Sequence, residues 1–403
     1  MNLPNEDFCV LPWISLEASP VGTVRPCCLA EEEILDNDGN KFELHTANFA
    51  DIQNSDYMRE LRSDFLFGNR PDTCKKCWAV EDAGGTSKRM HTLNRLKHIN
   101  MGERWTDNAK PLMFLDLKLG NICNLKCRIC GSWSSSQFAT EELKFVKDKK
   151  SSFHYQMLRD GAWPRENTTF WDQIDSCLDD IQYIEFTGGE PFLIQEHFEM
   201  LQGIVQRGIA HRVEIHYNTN GTQFPEYAED IWRHFKTVEI AFSIDDLGTR
   251  FEYQRTNAKW LEVCENLDRF RDLKERHSNI VLQLCCTVNV FNVFYIDHVA
   301  RWIQTNRESF NFVYWNMLHE IWYFAINRLP RNVKSALKLH LETCDIPREF
   351  RAEFDNIIDF MNTGESSDGS AMLAAMRQLD ERRNQNLAHV MPELADLIGY
   401  DKT

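Results

Sequence analysis

The stretch that decides the fold lies at residues 117–131 and reads LKLGNICNLKCRICG. A predicted strand, Leu112–Leu119, leads into it and ends in a Gly-Asn turn. Cys123, Cys127 and Cys130 follow at a C-x3-C-x2-C spacing. Three thiolates this close together can each bind one iron of a [4Fe–4S] cluster and leave the fourth iron open to a substrate. We therefore predict a catalytic iron–sulfur cluster. The alternatives are a zinc site with a fourth ligand from elsewhere, or buried structural cysteines.

Strands and helices alternate in the surrounding chain. Apolar segments predict six strands: Leu112–Leu119, Ile181–Phe186, Val213–Tyr217, Val238–Phe242, Ile280–Val288 and Phe312–Met317. Helical segments are predicted between them: Thr140–Lys147, Gln195–Arg207, Glu226–Phe235, Trp260–Arg276 and Tyr295–Gln304. Parallel strands need crossovers of about this length. The pattern predicts an α/β fold with a parallel sheet, either an open barrel or a doubly wound sheet.

Two further regions flank this α/β part. Residues 1–110 are rich in loops and contain Cys9, Cys27, Cys28, Cys74 and Cys77. The chain after about residue 326 loses the strand signal and predicts helices only. We therefore predict three parts: a cysteine-bearing module at 1–110, the α/β part at 111–325 and a helical region at 326–403.

Composition narrows the possible functions. The 403 residues carry a net charge of -16, which disfavours nucleic acid as a partner. The first residues lack the pattern of a signal peptide, and no stretch has the roughly 18 apolar residues of a spanning helix, so we expect a cytoplasmic protein with no membrane partner. In a reducing compartment, 13 cysteines indicate metal or redox chemistry rather than disulfides.

A second set of cysteines lies near the N-terminus. Cys9, Gly22 and Cys27 follow a C-x12-G-x4-C spacing, and Cys74 and Cys77 form a C-x2-C pair. A glycine at this place allows a tight hairpin that returns Cys27 to the side of Cys9. Four thiolates suit either zinc or an iron–sulfur cluster. Cys28 is the alternative to Cys27 as a ligand.

Polar motifs follow three of the later predicted strands: TGGEP at 187–191, NTNG at 218–221 and SIDD at 243–246. Each motif alone is more often a helix cap or a turn. Functional groups in a barrel of βα units gather at the carboxyl ends of the strands, which is where these motifs lie. Their order along the chain therefore indicates one shared site.

The cysteine triplet and the ordered strand endings resemble the radical S-adenosylmethionine (SAM) superfamily. This resemblance implies a partial (β/α)6 barrel, in which Cys123, Cys127 and Cys130 hold the cluster. It also implies that the strand endings bind SAM, through Gly188, Gly189, Glu190, Asn218, Asn220, Ser243, Asp245 and Arg255.

The chemistry implied by the resemblance is reductive cleavage of SAM. In that family the open iron chelates SAM, an electron from the reduced cluster breaks the S–C5′ bond, and the 5′-deoxyadenosyl radical abstracts a hydrogen from the substrate. The cofactors would be a [4Fe–4S] cluster and SAM, and the partner an external electron donor such as flavodoxin or ferredoxin. A metal-stabilised binding protein without SAM cleavage is the alternative outside the enzymes.

The N-terminal cysteine set resembles the SPASM and twitch auxiliary-cluster modules of the same enzymes. The shared features are the LPW segment, the glycine, the PCC ending and the C-x2-C pair followed by Trp. A second [4Fe–4S] cluster on Cys9, Cys27, Cys74 and Cys77 is implied. The module here precedes the barrel instead of following it, and it has cysteines for one cluster, so the shorter twitch form fits better.

The substrate is predicted from the resemblance and from the size of the flanking regions. Enzymes with such modules act mostly on peptides or proteins, whereas RNA and small molecules are the alternatives. The basic run at 88–104, with Lys88, Arg89, Arg95, Lys97 and Arg104 and with His91 and His98, is either a solvated helix face or a clamp for an acidic substrate. The sequence assigns no catalytic residue beyond the cofactor ligands.

Overall fold

The computed structural model describes residues 3–82, 84–97, 105–165 and 167–400. The chain forms two compact units, each assembled from separate segments. The first unit comprises Met1–Cys123, Ser132–Tyr217 and Glu226–Val238. The second comprises Asn124–Gly131, Asn218–Pro225 and Glu239–Thr403. The cysteine triplet is therefore divided, since Cys123 belongs to the first unit and Cys127 and Cys130 to the second.

All six predicted strands are present, and the bounds of the last two match the prediction. Four short strands escaped prediction, because segments of two to four residues carry too little alternation. The strands are β1 (Ser15–Ala18), β2 (Val24–Arg25), β3 (Phe114–Lys118), β4 (Lys126–Cys127), β5 (Tyr183–Thr187), β6 (Glu214–Thr219), β7 (Thr237–Ser243), β8 (Arg255–Thr256), β9 (Ile280–Val288) and β10 (Phe312–Met317).

The first unit contains strands in the order β6-β5-β3-β1-β2. β1, β3, β5 and β6 run parallel, and β2 is antiparallel to β1. β1 comes from the N-terminal cysteine-rich region, yet it pairs with β3 over Ser15–Ala18. The N-terminal region therefore contributes a strand to the same sheet as the barrel segment, which the sequence patterns did not reveal.

The second unit contains strands in the order β10-β9-β7. β10 runs parallel to β9, with Phe312 opposite Gln283. A separate ribbon pairs β4 with β8 antiparallel and sets Cys127 opposite Arg255. Within neither unit do the described strands close into a full barrel. The prediction of an α/β fold with a mostly parallel sheet is confirmed, and the open strand order agrees with a partial barrel.

Helices surround the strands in both units, and most bury one apolar side. The N-terminal region and the first half of the barrel segment contain α1 (Leu11–Ile14), α2 (Phe49–Gln53), α3 (Asp56–Leu66), α4 (Lys75–Asp82), α5 (Lys88–Leu96), α6 (Ser136–Glu142), α7 (Phe153–Asp160), α8 (Thr168–Cys177), α9 (Glu196–Gln206) and α10 (Ala228–Trp232). The remainder contains α11 (Gly248–Gln254), α12 (Trp260–Arg276), α13 (Ile296–Thr305), α14 (Arg331–Thr343), α15 (Arg351–Asn362), α16 (Ser370–Arg383), α17 (Leu387–Val390) and α18 (Pro392–Ile398).

One predicted helix was misplaced along the chain. Thr140–Lys147 was expected to be helical, whereas the helix runs over Ser136–Glu142. Its start is fixed by Ser135, whose hydroxyl accepts a hydrogen bond from the backbone N–H of Phe138. That cap lies shortly after the cysteine triplet, so the helix begins earlier than its apolar periodicity indicates.

Among the described residues, no helix combines the length and apolar character that crossing a bilayer requires.

Candidate functional site

The four N-terminal cysteines line one cavity in the first unit. Cys9, Cys27, Cys74 and Cys77 all border this cavity. The remaining wall is largely apolar and is formed by Leu11, Leu29, Ala30, Phe65 and Trp78, with Lys88 and Arg89 at its edge. Residues far apart in sequence thus present four sulfurs to one enclosed volume.

Four thiols around one cavity can hold either an iron–sulfur cluster or a single zinc ion. Zinc needs its sulfur ligands about 2.3 Å from one point. A [4Fe–4S] cluster needs one thiolate for each of its four irons, and four thiols border this cavity.

The hairpin predicted from Gly22 is confirmed. β1 and β2 pair antiparallel, and the backbone N–H of Gly22 donates to the carbonyl of Ser19 at 2.9 Å. Gly22 has a φ of +84°, which glycine adopts without strain. A Cβ at this position would also lie 3.3 Å from the ring of Trp163. The turn therefore needs glycine both for its backbone conformation and for the space beside Trp163.

Burial raises the pKa of three of the thiols that line the cavity. It raises the pKa of Cys9 well above the usual thiol value, and the neighbouring Cys74 and Cys27 raise it further. Burial also raises the pKa of Cys27, and that of Cys74 to about 12. A bound cluster would supply the positive charge that turns these thiols into thiolate ligands, with release of protons.

Cys28 occupies a different environment from Cys27. It does not line the cavity, and its sulfur lies 2.8 Å from Nζ of Lys88. The same ammonium group donates to the carboxylates of Asp116 at 3.0 Å and Glu185 at 3.1 Å. Asp116 and Glu185 are directly opposite each other on β3 and β5. The geometry therefore favours Cys27 as the cavity ligand. Cys28 instead contacts Lys88, which pairs with two carboxylates of the sheet.

Two other cations of the basic run are paired as well. Arg89 binds Glu81 and Arg95 binds Glu214 at 2.6 Å, whereas Lys97 and His91 are exposed. Neither a solvated face nor an open clamp describes Lys88, Arg89 and Arg95, because carboxylates of the chain itself already neutralise them. His98 and Arg104 lie outside the described residues.

The Gly-Gly-Glu segment supports the loop that enters the cysteine triplet. The backbone N–H of Gly189 donates to the carbonyl of Gly120 at 3.1 Å, and that of Glu190 donates to the carbonyl of Ile122 at 2.8 Å. A Cβ on Gly189 would lie 2.2 Å from the Ile122 carbonyl oxygen. Gly188 has a φ of +107°. Both glycines are thus required by the approach of backbone to backbone just before Cys123.

In the second unit, Cys127 lies beside a buried arginine. Nη1 of Arg255 is 3.9 Å from Sγ of Cys127. The pKa of the Cys127 thiol is lowered to about 7, first by a hydrogen bond from Cys130 and then by the positive charge of Arg255. A cation next to a sulfur with a low pKa favours the thiolate, which is the form that binds metal.

Asp245 holds this arginine in place. Its Oδ2 accepts hydrogen bonds from Nε and Nη2 of Arg255 at 3.0 and 2.7 Å. Its Oδ1 accepts from the backbone N–H of Thr287 at 2.9 Å. Both oxygens of Asp245 are therefore engaged with the protein, and Arg255 is the member of this pair that faces the cysteine.

Asn220 belongs to the same unit and contacts the cluster loop. Its amide donates to Oδ1 of Asn124 at 3.0 Å, and Thr222 bridges the two asparagines. Asn218 and Ser243, the remaining residues predicted to bind SAM, are half-buried. The loop between Cys123 and Cys127 is thus anchored through Asn124, a residue for which the sequence patterns predicted no role.

The cysteines outside both sets are ordinary buried or half-buried residues. Cys285 and Cys286 lie on β9 and alternate as expected for a strand, with Cys286 fully buried and Cys285 half-buried. Nδ2 of Asn316 lies 3.0 Å from the Cys285 sulfur. Cys177, Cys264 and Cys344 are half-buried on or next to helices.

Sequence reasoning missed two groups that surround the cysteines. One is the set of Lys88, Asp116 and Glu185 beside Cys28. The other is Arg128, which lies inside the triplet and is fully buried. An acid in a predicted core strand was a signal for the first group. For Arg128, the signal was a basic residue between two predicted metal ligands.

Comparison with known proteins agrees with these two sites. Residues 117–285 match the family model of the radical SAM superfamily. Residues 9–78 match the SPASM model, described as an iron–sulfur cluster-binding domain. The central part of the chain is therefore similar to radical SAM enzymes, and its N-terminal part is similar to their SPASM domain. The SPASM-type domain lies ahead of the radical SAM domain in this chain. The cofactors of these two domains are [4Fe–4S] clusters and SAM.

Solved structures also resemble the chain, at low identity. Native anSMEcpe with bound AdoMet is 19% identical with a TM-score of 0.41, and the match covers 58% of this chain and 60% of that one. Native anSMEcpe with bound AdoMet and Cp18Cys peptide is 16% identical with a TM-score of 0.38, covering 62% of each chain. SuiB of Streptococcus suis is 10% identical with a TM-score of 0.35, covering 91% of this chain and 71% of SuiB. The chain thus spans less than two thirds of anSMEcpe. No curated relative matches it.

Proposed function

We propose that this chain reductively cleaves SAM and uses the resulting radical to abstract a hydrogen atom from a peptide or protein. The observation that carries the proposal is the setting of Cys127. A buried cation, Arg255, lies beside its sulfur and is itself fixed by Asp245. When bound, the cluster and SAM supply the electron transfer and the homolytic cleavage of the S–C5′ bond. The residues of the chain bind these groups, orient them and exclude water.

Cys123, Cys127 and Cys130 are the proposed cluster ligands. Arg255 stabilises the negative charge of a thiolate-ligated cluster, because an opposite charge close to a buried anion lowers its energy. Asp245 keeps Arg255 in that position.

The strand endings are the proposed SAM contacts. Gly188, Gly189 and Glu190 keep the peptide backbone close to the loop that enters Cys123. Asn218 and Ser243 are half-buried and remain proposed contacts. Asn220 is proposed to act mainly by holding the loop through Asn124.

The N-terminal cavity is the proposed site of the auxiliary cluster, with Cys9, Cys27, Cys74 and Cys77 as its four ligands. A cluster with four protein ligands has no open iron. It is therefore suited to accepting an electron from a product radical or to supporting the fold, and not to binding SAM. Dehydrogenation or crosslinking of the substrate would need such an electron acceptor.

A peptide or protein is the proposed substrate. Radical SAM enzymes with SPASM-type domains act mostly on peptides and proteins. In addition, the net charge of -16 opposes binding of phosphate-rich RNA. The proposed electron donor is an external protein such as flavodoxin or ferredoxin.

Deuterium transfer tests both the reaction and the substrate class. Anaerobically reconstituted enzyme is incubated with dithionite, SAM and deuterated candidate peptides, and in parallel with deuterated nucleosides and free metabolites. We expect 5′-deoxyadenosine in every reaction with active enzyme, and deuterium in it only when a peptide is the hydrogen source. Transfer from a nucleoside or metabolite, and from no peptide, would overturn the substrate class while leaving the cleavage reaction intact.

A further inference from the structure

The loop that carries Cys127 and Cys130 is attached to the C-terminal helical region through Arg128. This arginine lies between the two cysteines in sequence, and its side chain has no exposed surface. Nη2 of Arg128 donates to Oδ1 of Asp380 at 2.5 Å and to Oε1 of Gln385 at 2.8 Å. The contact joins residues 252 positions apart, entirely within the second unit.

Asp380 is the centre of a buried hydrogen-bond network. It is 3% exposed and lies on α16. Besides Arg128, its carboxylate accepts from the hydroxyl of Tyr253 at 2.8 Å, the hydroxyl of Tyr400 at 2.6 Å and the backbone N–H of Leu387 at 2.7 Å. Each carboxylate oxygen therefore has two donors, which fixes both its position and its orientation.

The arginine is fixed from its other sides as well. Its Nε donates to the carbonyl of Tyr253 at 2.9 Å, and its guanidinium lies 3.6 Å from the centre of the Tyr253 ring. Its backbone N–H donates to the carbonyl of Gln254 at 2.8 Å. A guanidinium held by a carboxylate, a carbonyl and an aromatic ring has little freedom to move.

Charge explains why Asp380 is needed. A buried guanidinium without a partner carries a large desolvation cost, so removing the carboxylate would drive Arg128 toward water. Cys127 is the next residue before Arg128, and Cys130 follows two residues after it. Any displacement of Arg128 would therefore shift both proposed ligands, and small misplacements of reacting groups cost large factors in rate.

We propose that Asp380 is a positioning residue for the SAM-binding cluster, and that the C-terminal region serves to fix the cluster loop through the Asp380–Arg128 pair. This inference rests on the proposed function, because it assumes that Cys127 and Cys130 are cluster ligands. Asp380 touches neither cysteine and acts only through Arg128.

The test compares Asp380→Asn with Glu381→Gln. Both substitutions replace a carboxylate by an amide on α16, but Glu381 is exposed and lies outside the Asp380 network. Reconstituted, reduced protein is titrated with SAM and followed by electron paramagnetic resonance. The SAM-induced change in the spectrum reports only the cluster that binds SAM. The quantity compared is the SAM concentration that produces half of the maximal spectral change. We expect Asp380→Asn to raise this concentration by a factor of at least about ten and Glu381→Gln to leave it unchanged.

A second comparison shows whether the effect passes through Arg128. We expect Arg128→Met to weaken the SAM response as well. The double variant Arg128→Met/Asp380→Asn should respond within about threefold of Arg128→Met alone, because no unpaired charge remains in it. This comparison also keeps the inference testable if Asp380→Asn alone does not fold.

Three results would overturn the inference. In the first, Asp380→Asn responds to SAM like Glu381→Gln. In the second, the double variant shows the product of the two single effects, so that Asp380 acts independently of Arg128. In the third, the wild-type protein gives no SAM-induced change, and the proposed function then fails together with the inference.

Discussion

The two cysteine sets differ in the surroundings of their thiols and in the pKa shifts that these surroundings cause. The N-terminal four border an apolar cavity, and burial raises the pKa of Cys9, Cys27 and Cys74. In the triplet, Cys127 has its pKa lowered to about 7 beside Cys130 and Arg255. Closed sites with a full ligand set usually serve structure or electron transfer, whereas sites with an open position serve chemistry. The contrast indicates a division of labour between the two sites.

The supports of the two sites differ as well. The N-terminal cavity is lined mainly by residues of α1, α3, α4 and the loop after β2. The second-unit part of the cluster loop is held by polar contacts, chiefly those of Asn220, Arg255 and Arg128 with Asp380. Apolar packing tolerates small shifts, whereas networks of charged hydrogen bonds fix direction. A loop that is proposed to present an open iron to SAM gains from the second kind of support.

Among the changes considered, removing two proposed ligands from the N-terminal cavity should have the largest effect. We expect Cys74→Ala/Cys77→Ala to lose one whole cluster, which is about half of the iron and sulfide per chain. Reductive cleavage of SAM should persist, since the triplet is untouched. Iron, sulfide and zinc analysis of anaerobically prepared protein measures the first effect, and 5′-deoxyadenosine formation measures the second.

The same preparation tests the identity of the metal. Wild-type protein that contained stoichiometric zinc and only one cluster's worth of sulfide would show that the N-terminal set is a zinc site. The contrast between the two sites would then be one between a structural metal and a cluster.

The second-largest effect should come from removing the ion pairs of Lys88, because these pairs join the cysteine-rich region to the sheet. Lys88→Met removes the cation that pairs with the buried Asp116 and the half-buried Glu185, which we expect to cost about 3–5 kcal/mol at neutral pH. Lys75→Met is the matched control, since Lys75 pairs with Glu31 at the surface and is 65% exposed. We expect it to change the melting temperature of the apoprotein little.

The effect of Lys88→Met should depend on pH with a known sign. Lys88 and Lys118 lower the pKa of the Asp116 carboxyl, although burial opposes them. A lowered pKa contributes stability above the unfolded value of about 3.9, and that contribution is lost as the pH falls through the lower folded value. The difference in melting temperature between wild type and Lys88→Met should therefore shrink in acid below about pH 4. A constant difference across pH would contradict the assigned pairing.

Gly189→Ala should have the smallest effect of the three. The added Cβ would meet the Ile122 carbonyl oxygen, so we expect a loss of about 1–3 kcal/mol. Gly39→Ala is the control, because Gly39 has a φ of +83° but nothing within 4 Å of an added Cβ. It measures the cost of a positive φ alone, about 1 kcal/mol, which Gly189→Ala does not incur because the φ of Gly189 is not in that range. Equal losses in the two variants would show that the contact between Gly189 and Ile122 is not needed.

Local patterns in the sequence predicted the barrel strands and both cysteine sets. The bounds of β9 and β10 matched the prediction, because long apolar segments bounded by turns leave little choice. The spacing around Gly22 predicted the hairpin, because a tight turn with positive φ restricts which residue can occupy it. These features depend on neighbours along the chain, and such neighbours are visible in the sequence.

Long-range partners could not be predicted in the same way. No pattern near Arg128 indicates that its partner is Asp380, and no pattern near Lys88 indicates Asp116 or Glu185. Buried charges find partners through the tertiary fold, at separations that have no period. For the same reason, the pairing of β1 with β3 was missed, since β1 is too short to carry a strand signal of its own.

The central claim is that Cys123, Cys127 and Cys130 hold the cluster that cleaves SAM. The most direct measurement is 5′-deoxyadenosine formed with dithionite and SAM by the triple variant Cys123→Ala/Cys127→Ala/Cys130→Ala, beside wild type and Cys264→Ala, a cysteine on α12 outside both sets. The account predicts background product from the triple variant and wild-type product from Cys264→Ala. Formation of 5′-deoxyadenosine by the triple variant at a rate near that of wild type would contradict it.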